Sequence, residues 1–339
     1  MKCLPVEHAI GETLCHDMTA IRADYKDVAF KRGHVICAED LPALLSMGKS
    51  HVFVGSSNTD EVHEDDAGLV GATALSGPGI TYSGPAEGRY RLTAERDGLF
   101  TVNRPALLAF NAVPDYTAAT LPTHTPVHAG DHVAGIRIVP LVTMLEHVRT
   151  VETLGGAQGP ILSVRPYFPL RVGIIITGTE VASGRIEDRF ELVLRAKIAT
   201  FGGTILYVTK CPDDVSAIRN AVSTCLAEGA DLLLFTGGMS VDPDDLTPIA
   251  IRQTGAEVVT QGVPIQPGNM LMLAYLGDTA LIGIPGTVML GKTTSLDVIL
   301  PRIFAGDKLT PAEFEALGEG GLCRACEVCR YPICYFGRG

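Results

Sequence analysis

Beyond residue 170 the chain alternates wholly apolar runs with amphipathic ones, and few architectures can bury that pattern. VGIIIT (172–177) and ADLLLFT (230–236) are short and apolar, with TILYVT (204–209) between them. A strand without a polar face must be covered on both sides. In the intervening stretches, residues 187–201 place Phe190, Leu194 and Ile198 on one helical face, and residues 213–228 do the same with Ile218, Val222, Cys225 and Leu226. Two consecutive βαβ units are therefore predicted, within an α/β fold built as a three-layer, doubly wound, mostly parallel sheet. Further strands are predicted near 257–260, 271–275 and 280–284, followed by a helix over 288–300.

At roughly 100–200 residues per domain, a chain of 339 residues holds more than this unit. Residues 1–54 read as an N-terminal α+β segment with a helix over 38–47 that Gly48 ends. Residues 55–88 are rich in Gly, Ser and acid and read as a linker with an exposed acidic loop. RYRLTAE, GLFTVN and HVAGIRIVPL, divided by Gly, Pro and Asn, predict a β-rich domain over 89–155. The α/β domain spans 170–306, and a Cys-rich C-terminal tail occupies 307–339.

Hydrophobic residues at 46% against 19% charged exclude a mainly disordered chain. A formal charge of −11 removes the general attraction to phosphate backbones, so no nucleic-acid partner is expected. The opening MKCLPVEHAIGETL lacks a basic region followed by an apolar stretch, and the uncharged stretches 67–86 and 258–277 are broken by Gly and Pro. A cytoplasmic protein without a membrane span is the expectation.

In open parallel sheets ligands bind beyond the carboxyl ends of the strands. Three such ends carry chemistry. The first supplies Thr177, Gly178, Thr179, Glu180, Gly184 and Asp188; the second Thr236, Gly237, Gly238, Ser240, Asp242, Asp244 and Asp245; the third Pro285, Gly286 and Thr287. Glycines at a strand end admit close approach of a ligand, and amides and hydroxyls there can cradle phosphate without a positive protein. Carboxylates beside such a cradle make sense with Mg²⁺ between them and the phosphate. The alternative is that TGTE and TGGMS are only tight turns. The Gly-Lys-Ser/Thr of ATPase loops and the dinucleotide fingerprint are absent.

Cys323, Cys326, Cys329 and Cys334 crowd into twelve residues of the tail. Short spacers of this kind let thiolates converge on Zn²⁺ or an iron–sulfur cluster, with a flexible, incidental Cys-rich terminus as the alternative. His124 and His128 read as solvated rather than ligating, and Asp213 and Asp214 as a helix N-cap.

VGIIITGTE, the Asp213-Asp214 pair, ADLLLFTGGMSVDPDDLT, GVPIQPGN and IGIPGT, in this order and spacing, resemble the molybdopterin-binding domain shared by molybdopterin molybdotransferases and adenylyltransferases. The resemblance covers about 171–306. FKRGHVICAEDLPALLSMGKSHVFV resembles the segment that precedes the domain in the molybdotransferases and points to their branch. It implies a protein of molybdenum cofactor biosynthesis that binds adenylylated molybdopterin across the loops and inserts molybdate with release of AMP. Thr177, Gly178, Thr179, Thr236, Gly237, Gly238, Ser240, Pro267, Gly268, Pro285 and Gly286 would bind the pterin and its phosphates. Asp188 and Asp245 would hold Mg²⁺ or position the leaving group, and Glu180 would orient the pterin.

The sequence departs from the family pattern in three places. Where molybdotransferases read Gly-Gly-Val-Ser-Val-Gly-Asp-Tyr-Asp, this chain has Asp242 and Pro243 before the matching Asp245; Asp188 is followed by Arg189 and Phe190 rather than Ser and Asn; and the Lys-Pro-Gly-Lys segment becomes Gln266-Pro267-Gly268-Asn269. The last change removes two cations. Together with Asp242-Pro243 it favours, as the second reading, a non-catalytic carrier that delivers molybdopterin to a molybdoenzyme apoprotein. A nucleotide-pyrophosphate hydrolase is a third, since related domains occur with that activity. Relatives of the domain often self-associate, which makes a homo-oligomer a further expectation.

Overall fold

The structure is a computed structural model describing residues 1–22, 25–55, 59–157, 159–178, 190–240 and 242–338. Met1–Glu95, Val102–Leu121 and Ala129–Ser163 form one unit, and Arg96–Thr101, Pro122–His128 and Val164–Gly339 form the other.

In chain order the elements up to the α/β region are β1 (Lys2–Pro5), β2 (Met18–Arg22), β3 (Tyr25–Phe30), α1 (Leu41–Ser46), β4 (His51–Val54), β5 (Glu61–His63), α2 (Glu64–Leu75), β6 (Ile80–Ala86), β7 (Arg89–Ala94), β8 (Gly98–Val102), α3 (Arg104–Asn111), β9 (Tyr116–Thr120), β10 (Thr125–Val127), β11 (His132–Ile138), β12 (Val142–Met144), α4 (Leu145–Ala157) and β13 (Leu162–Arg165). In the first unit, β1 pairs antiparallel with β4 around a small core of Val6, Leu14, Ile36, Leu44, Val52 and Val54. Strands β6, β7, β11 and β9 form an antiparallel sheet in that order.

One expectation for this unit is corrected. Residues 55–88 are not a linker, because α2 fills 64–75 and β6 follows it. Helix α2 buries a face of small residues, Ala67, Gly68, Gly71 and Ala72, which lets its backbone approach the sheet. A Cβ at Gly71 would lie 2.3 Å from Ile136 Cδ1, and one at Gly68 2.9 Å from Tyr90 Cε2. The acidic run is the first turn of this helix, where Glu64, Asp65 and Asp66 oppose the positive end of the dipole. His63 caps it: Nδ1 accepts from the Asp65 amide at 3.2 Å, which leaves Nε2 to donate to the Cys15 carbonyl at 2.8 Å. The stretch 89–155 carries the strands β7 to β12 and, beside them, α3 and most of α4. Asn103 starts α3 by accepting from the Ala106 amide, with Pro105 in the first turn.

The second unit continues with β14 (Arg171–Thr177), α5 (Phe190–Thr200), β15 (Thr204–Cys211), α6 (Val215–Ala227), β16 (Leu232–Thr236), α7 (Thr247–Gln253), β17 (Glu257–Gln261), β18 (Met272–Leu276), β19 (Thr279–Ile284), α8 (Ser295–Phe304) and α9 (Pro311–Ala316). It is a mixed α/β unit. Its sheet runs β15-β14-β16-β19-β18-β17, the first four strands parallel and β18 antiparallel to both of its neighbours, β19 and β17. Alternate residues separate two cores. Ile174, Ile176, Leu232, Leu234 and Ile282 pack with Leu194, Ile198 and the α8 residues on one face; Ile175, Leu233, Phe235 and Leu281 pack with Ile218, Val222 and Ile251 on the other. β18 must run antiparallel to β19 because only Gly277 and Asp278 join them, too short for a crossover, and Gly277 takes φ +62 in that turn.

The helix expected over 288–300 is displaced. A 3₁₀ turn spans Gly286–Met289, and α8 begins at Ser295, where Thr294 and Asp297 form a reciprocal cap. The tail is also folded: Leu309, Phe314, Leu317 and Phe336 join the core shared by α5 and α8. No helix among the described residues is long and apolar enough to cross a membrane.

Candidate functional site

The parallel register brings three strand ends side by side, with Ile176 opposite Thr236 and Thr236 opposite Ile284. At this edge side-chain hydroxyls join the loops. Thr177 Oγ1 donates to the Thr236 carbonyl at 3.1 Å, Thr247 Oγ1 donates to the Gly237 carbonyl at 3.0 Å, and the two hydroxyls lie 3.2 Å apart. Thr247, at the start of α7, is a member of the site that the motif reading omitted. Its position in the sequence, at a Thr-Pro helix start eleven residues after the strand end, carries no mark of a partner on another loop.

Gly237 and Gly238 have φ of +84 and +54, which favour glycine. A Cβ at Gly237 would stand 2.2 Å from the Thr177 carbonyl oxygen, and one at Gly238 2.8 Å from Thr247 Oγ1. The loop after β16 therefore crosses close over the end of β14. Thr236 Oγ1 is buried there without a hydrogen-bond partner among the described residues, which is an unmet polar requirement at the end of a central strand. Gly178 donates its amide to the Cys211 carbonyl at 3.2 Å. Burial and the nearby Asp213 and Asp214 push the Cys211 thiol up to about 11, so it stays protonated and is not a nucleophile at neutral pH.

Asp245 accepts the Asp242 amide at 2.9 Å and donates its own amide to the Asp242 carbonyl at 3.0 Å. Its carboxylate thus closes the acidic turn that follows Ser240, which is exposed. Thr179, Glu180, Gly184 and Asp188 lie outside the described residues. Asp214 is the N-cap of α6, accepting the Ala217 amide at 2.8 Å.

Pro267 and Gly268 are fixed by α8. The Ser295 amide donates to the Pro267 carbonyl at 3.0 Å and Ser295 Oγ donates to the Gly268 carbonyl at 2.6 Å. Lys197 pairs with Asp297 in the first turn of the same helix. Pro285 is buried and Gly286 exposed where β19 ends.

The tail lies on these same loops. Gln266 donates its amide to the Gly321 carbonyl at 2.7 Å and accepts from the Cys323 amide at 2.8 Å, and Lys292 Nζ donates to the Glu327 carbonyl at 2.5 Å. Its four cysteines do not converge. Cys323 and Cys334 pack against the hydrophobic core, Cys329 Sγ lies 3.0 Å from Thr293 Oγ1, and Cys326 is exposed. Among the described residues no group of three or more His, Cys, Asp or Glu could hold a metal ion. As placed, the quartet does not bring three or more of its thiols together around one ion, and Cys323 Sγ instead accepts the Ala325 amide at 3.5 Å.

Residues 173–305 match the family model described as a probable molybdopterin binding domain. Residues 3–56 match one described as a domain of unknown function. The chain is similar to a molybdopterin molybdenumtransferase of Bacillus subtilis (strain 168), 31% identical over 159 residues, which are 45% of this chain and 34% of that protein. It is similar to a CinA-like protein of Mycobacterium sp. (strain JLS), 36% identical over 90 residues, 26% of this chain and 21% of the other. The chain thus spans between about a fifth and a third of these curated relatives. Among solved structures, the tungsten cofactor synthesizing protein MoaB from Pyrococcus furiosus aligns over 40% of this chain and 93% of its own at 20% identity, with a TM-score of 0.35.

Proposed function

With a probable molybdopterin binding domain over residues 173–305 as the premise, we propose that this chain binds adenylylated molybdopterin at the joined strand ends and inserts molybdate into it with release of AMP. The observation that carries the reading is the glycine cradle. Gly237 lies so close to Thr177 and Gly238 so close to Thr247 that no side chain fits, and the buried Thr236 hydroxyl is left without a partner among the described residues. Backbone amides at Gly237, Gly238 and Ser240 would receive phosphate oxygens, while Thr177 and Thr247 hold the two loops at fixed separation. Pro267, Gly268, Pro285 and Gly286 would border the pterin. Thr179 and Glu180 belong to the same proposal, Thr179 as a binding residue and Glu180 as the one that would orient the pterin.

Asp245 together with Asp188 would hold Mg²⁺, which would offset the charge of the bound phosphates. The turn that Asp245 closes with Asp242 sets the direction of its carboxylate before any ligand arrives. A cytoplasmic protein that passes its product to a molybdoenzyme, and that self-associates, belongs to the same reading.

A carrier without turnover is the second reading, favoured by the residues at 266–269. Gln266, where the family has a lysine, engages the tail through its backbone and contributes no cation to a phosphate. Calorimetric titration with adenylylated molybdopterin, with and without Mg²⁺, followed by molybdate and an assay for AMP, separates the readings. Tight binding with AMP release is the expected result. Binding without release makes the chain a carrier, and no binding overturns the reading of the site.

A further inference from the structure

We propose that the first unit carries a second ligand site, for a phosphorylated small molecule, on the face of the β6-β7-β11-β9 sheet opposite α2. The proposal is independent of the molybdopterin reading. Pairing of β7 with β11 sets Arg89 directly opposite Arg137 and Arg91 directly opposite Gly135. Tyr90, Leu92, Ile136 and Ile138 are buried on the α2 side, so the three arginines emerge on the other face, where they are exposed. Like charges directly opposite one another across a strand pair repel and weaken the sheet. The arrangement is therefore a local cost that an anion would relieve.

The protein itself relieves it only in part. Glu87 answers Arg89 at 2.5 Å, and the Ala86 carbonyl accepts from Arg89 Nε at 3.2 Å. Arg91 and Arg137 have no ion-pair partner within 4 Å among the described residues. Glu64 feels the charge of Arg137, yet burial pushes its carboxyl up to about 7, so at neutral pH it does not supply a full counter-charge.

Between these guanidiniums Gly135 leaves space. The resulting cavity of about 580 Å³ is also lined by Ser83 and His132, a volume within the range of small-molecule sites. Guanidinium groups are planar forks that match phosphate oxygens two at a time. A cationic patch only partly compensated, on a chain of net charge −11, reverses the molecule's field locally and selects an anion. The same net charge opposes a long polyanion, which argues for a small phosphate ester over a nucleic-acid strand.

The test is calorimetric titration of the full chain with AMP as the probe, beside a single-stranded oligonucleotide. Arg91→Ala and Arg137→Ala are each expected to weaken one AMP equivalent about tenfold or more, the scale of a lost charged hydrogen bond. Gly135→Val is expected to abolish that equivalent with a thermal midpoint no lower than that of the wild type. A Cβ at Gly135 meets nothing closer than 3.8 Å, so the added side chain occupies the cavity without displacing the sheet. AMP held at the strand-end loops of the second unit would persist in all three variants, which keeps the two readings separable. Unchanged AMP binding in all three overturns the proposal, as does binding of the oligonucleotide with none of AMP.

Discussion

At the residue scale the candidate site depends on positions where a side chain is excluded. Gly237→Ala would place a methyl group 2.2 Å from the Thr177 carbonyl oxygen at a φ of +84, so a loss of about 1–3 kcal/mol or more in stability is expected, together with loss of adenylylated molybdopterin binding. Urea unfolding and calorimetric titration measure the two effects. Asp245 permits a finer test. Asp245→Asn retains an oxygen that can accept the Asp242 amide but removes the charge, so binding should lose its Mg²⁺ dependence while the turn stays intact. Equal Mg²⁺ dependence in variant and wild type would remove Asp245 from the proposed metal site. The paired glycines and Asp245 were legible in the sequence as a strand-end motif. Thr247 was not, because its part depends on a hydroxyl reaching a loop that only the parallel register brings near. Glu64 was hidden for a related reason, since nothing in HEDDAG says which acid is buried. Its carboxyl is pushed up to about 7 from an ordinary 4.5, mainly by desolvation. The folded state then holds more protons than the unfolded state between those values, and stability is lost as pH rises from about 4.5 through 7. Glu64→Gln should flatten this dependence in thermal unfolding measured at intervals from pH 5 to 8, and an unchanged slope would show that Glu64 is not its source.

At the element scale, the strands and helices of the second unit follow from pattern alone because their cores are built from large apolar residues at periods of 2 and 3.6. Ile174, Ile175 and Ile176 point alternately into the two cores, and Leu194 and Ile198 complete one of them. Helix α2 escapes the same reading because it buries Ala67, Gly68, Gly71 and Ala72, residues whose apolar signal is weak and whose value lies in what they omit. Gly71→Val tests this. Its side chain would enter space held by Ile136 and Tyr116, and overpacking of about 1–3 kcal/mol is expected, seen as a lower urea midpoint. If α2 were a loosely attached element, the same substitution would stabilise the helix through better intrinsic propensity. The sign of the change decides between close packing and loose attachment. The displaced start of α8 has a comparable cause. Residues 288–300 carry a helical apolar pattern, but Gly291 and the reciprocal cap of Thr294 with Asp297 begin the helix later, and that later start puts Ser295 against Pro267 and Gly268.

At the scale of the whole chain, the tail changes meaning most. Its cysteine spacing suggested metal, and its position in the sequence suggested an appendage. Neither clue showed that Phe336 would return to the core between α5 and α8 or that the 320s would run beside Gln266. The bridge between Gln266 and Leu322 joins residues 56 positions apart, beyond any local period. The tail thus joins the core of the unit and hydrogen-bonds the loop that carries Pro267 and Gly268. Phe336→Ala removes a side chain that is 2% exposed, for which about 3–5 kcal/mol of stability should be lost. If the tail also orders the Gln266–Asn269 segment, the variant should bind adenylylated molybdopterin more weakly even at temperatures where it is fully folded by circular dichroism. Cys326→Ser serves as the reference, since Cys326 is exposed and outside the core, and it should leave both quantities unchanged. A Phe336→Ala protein that loses stability but keeps wild-type affinity would confine the tail to a structural part. An affinity loss shared by Cys326→Ser would instead return attention to the cysteines themselves.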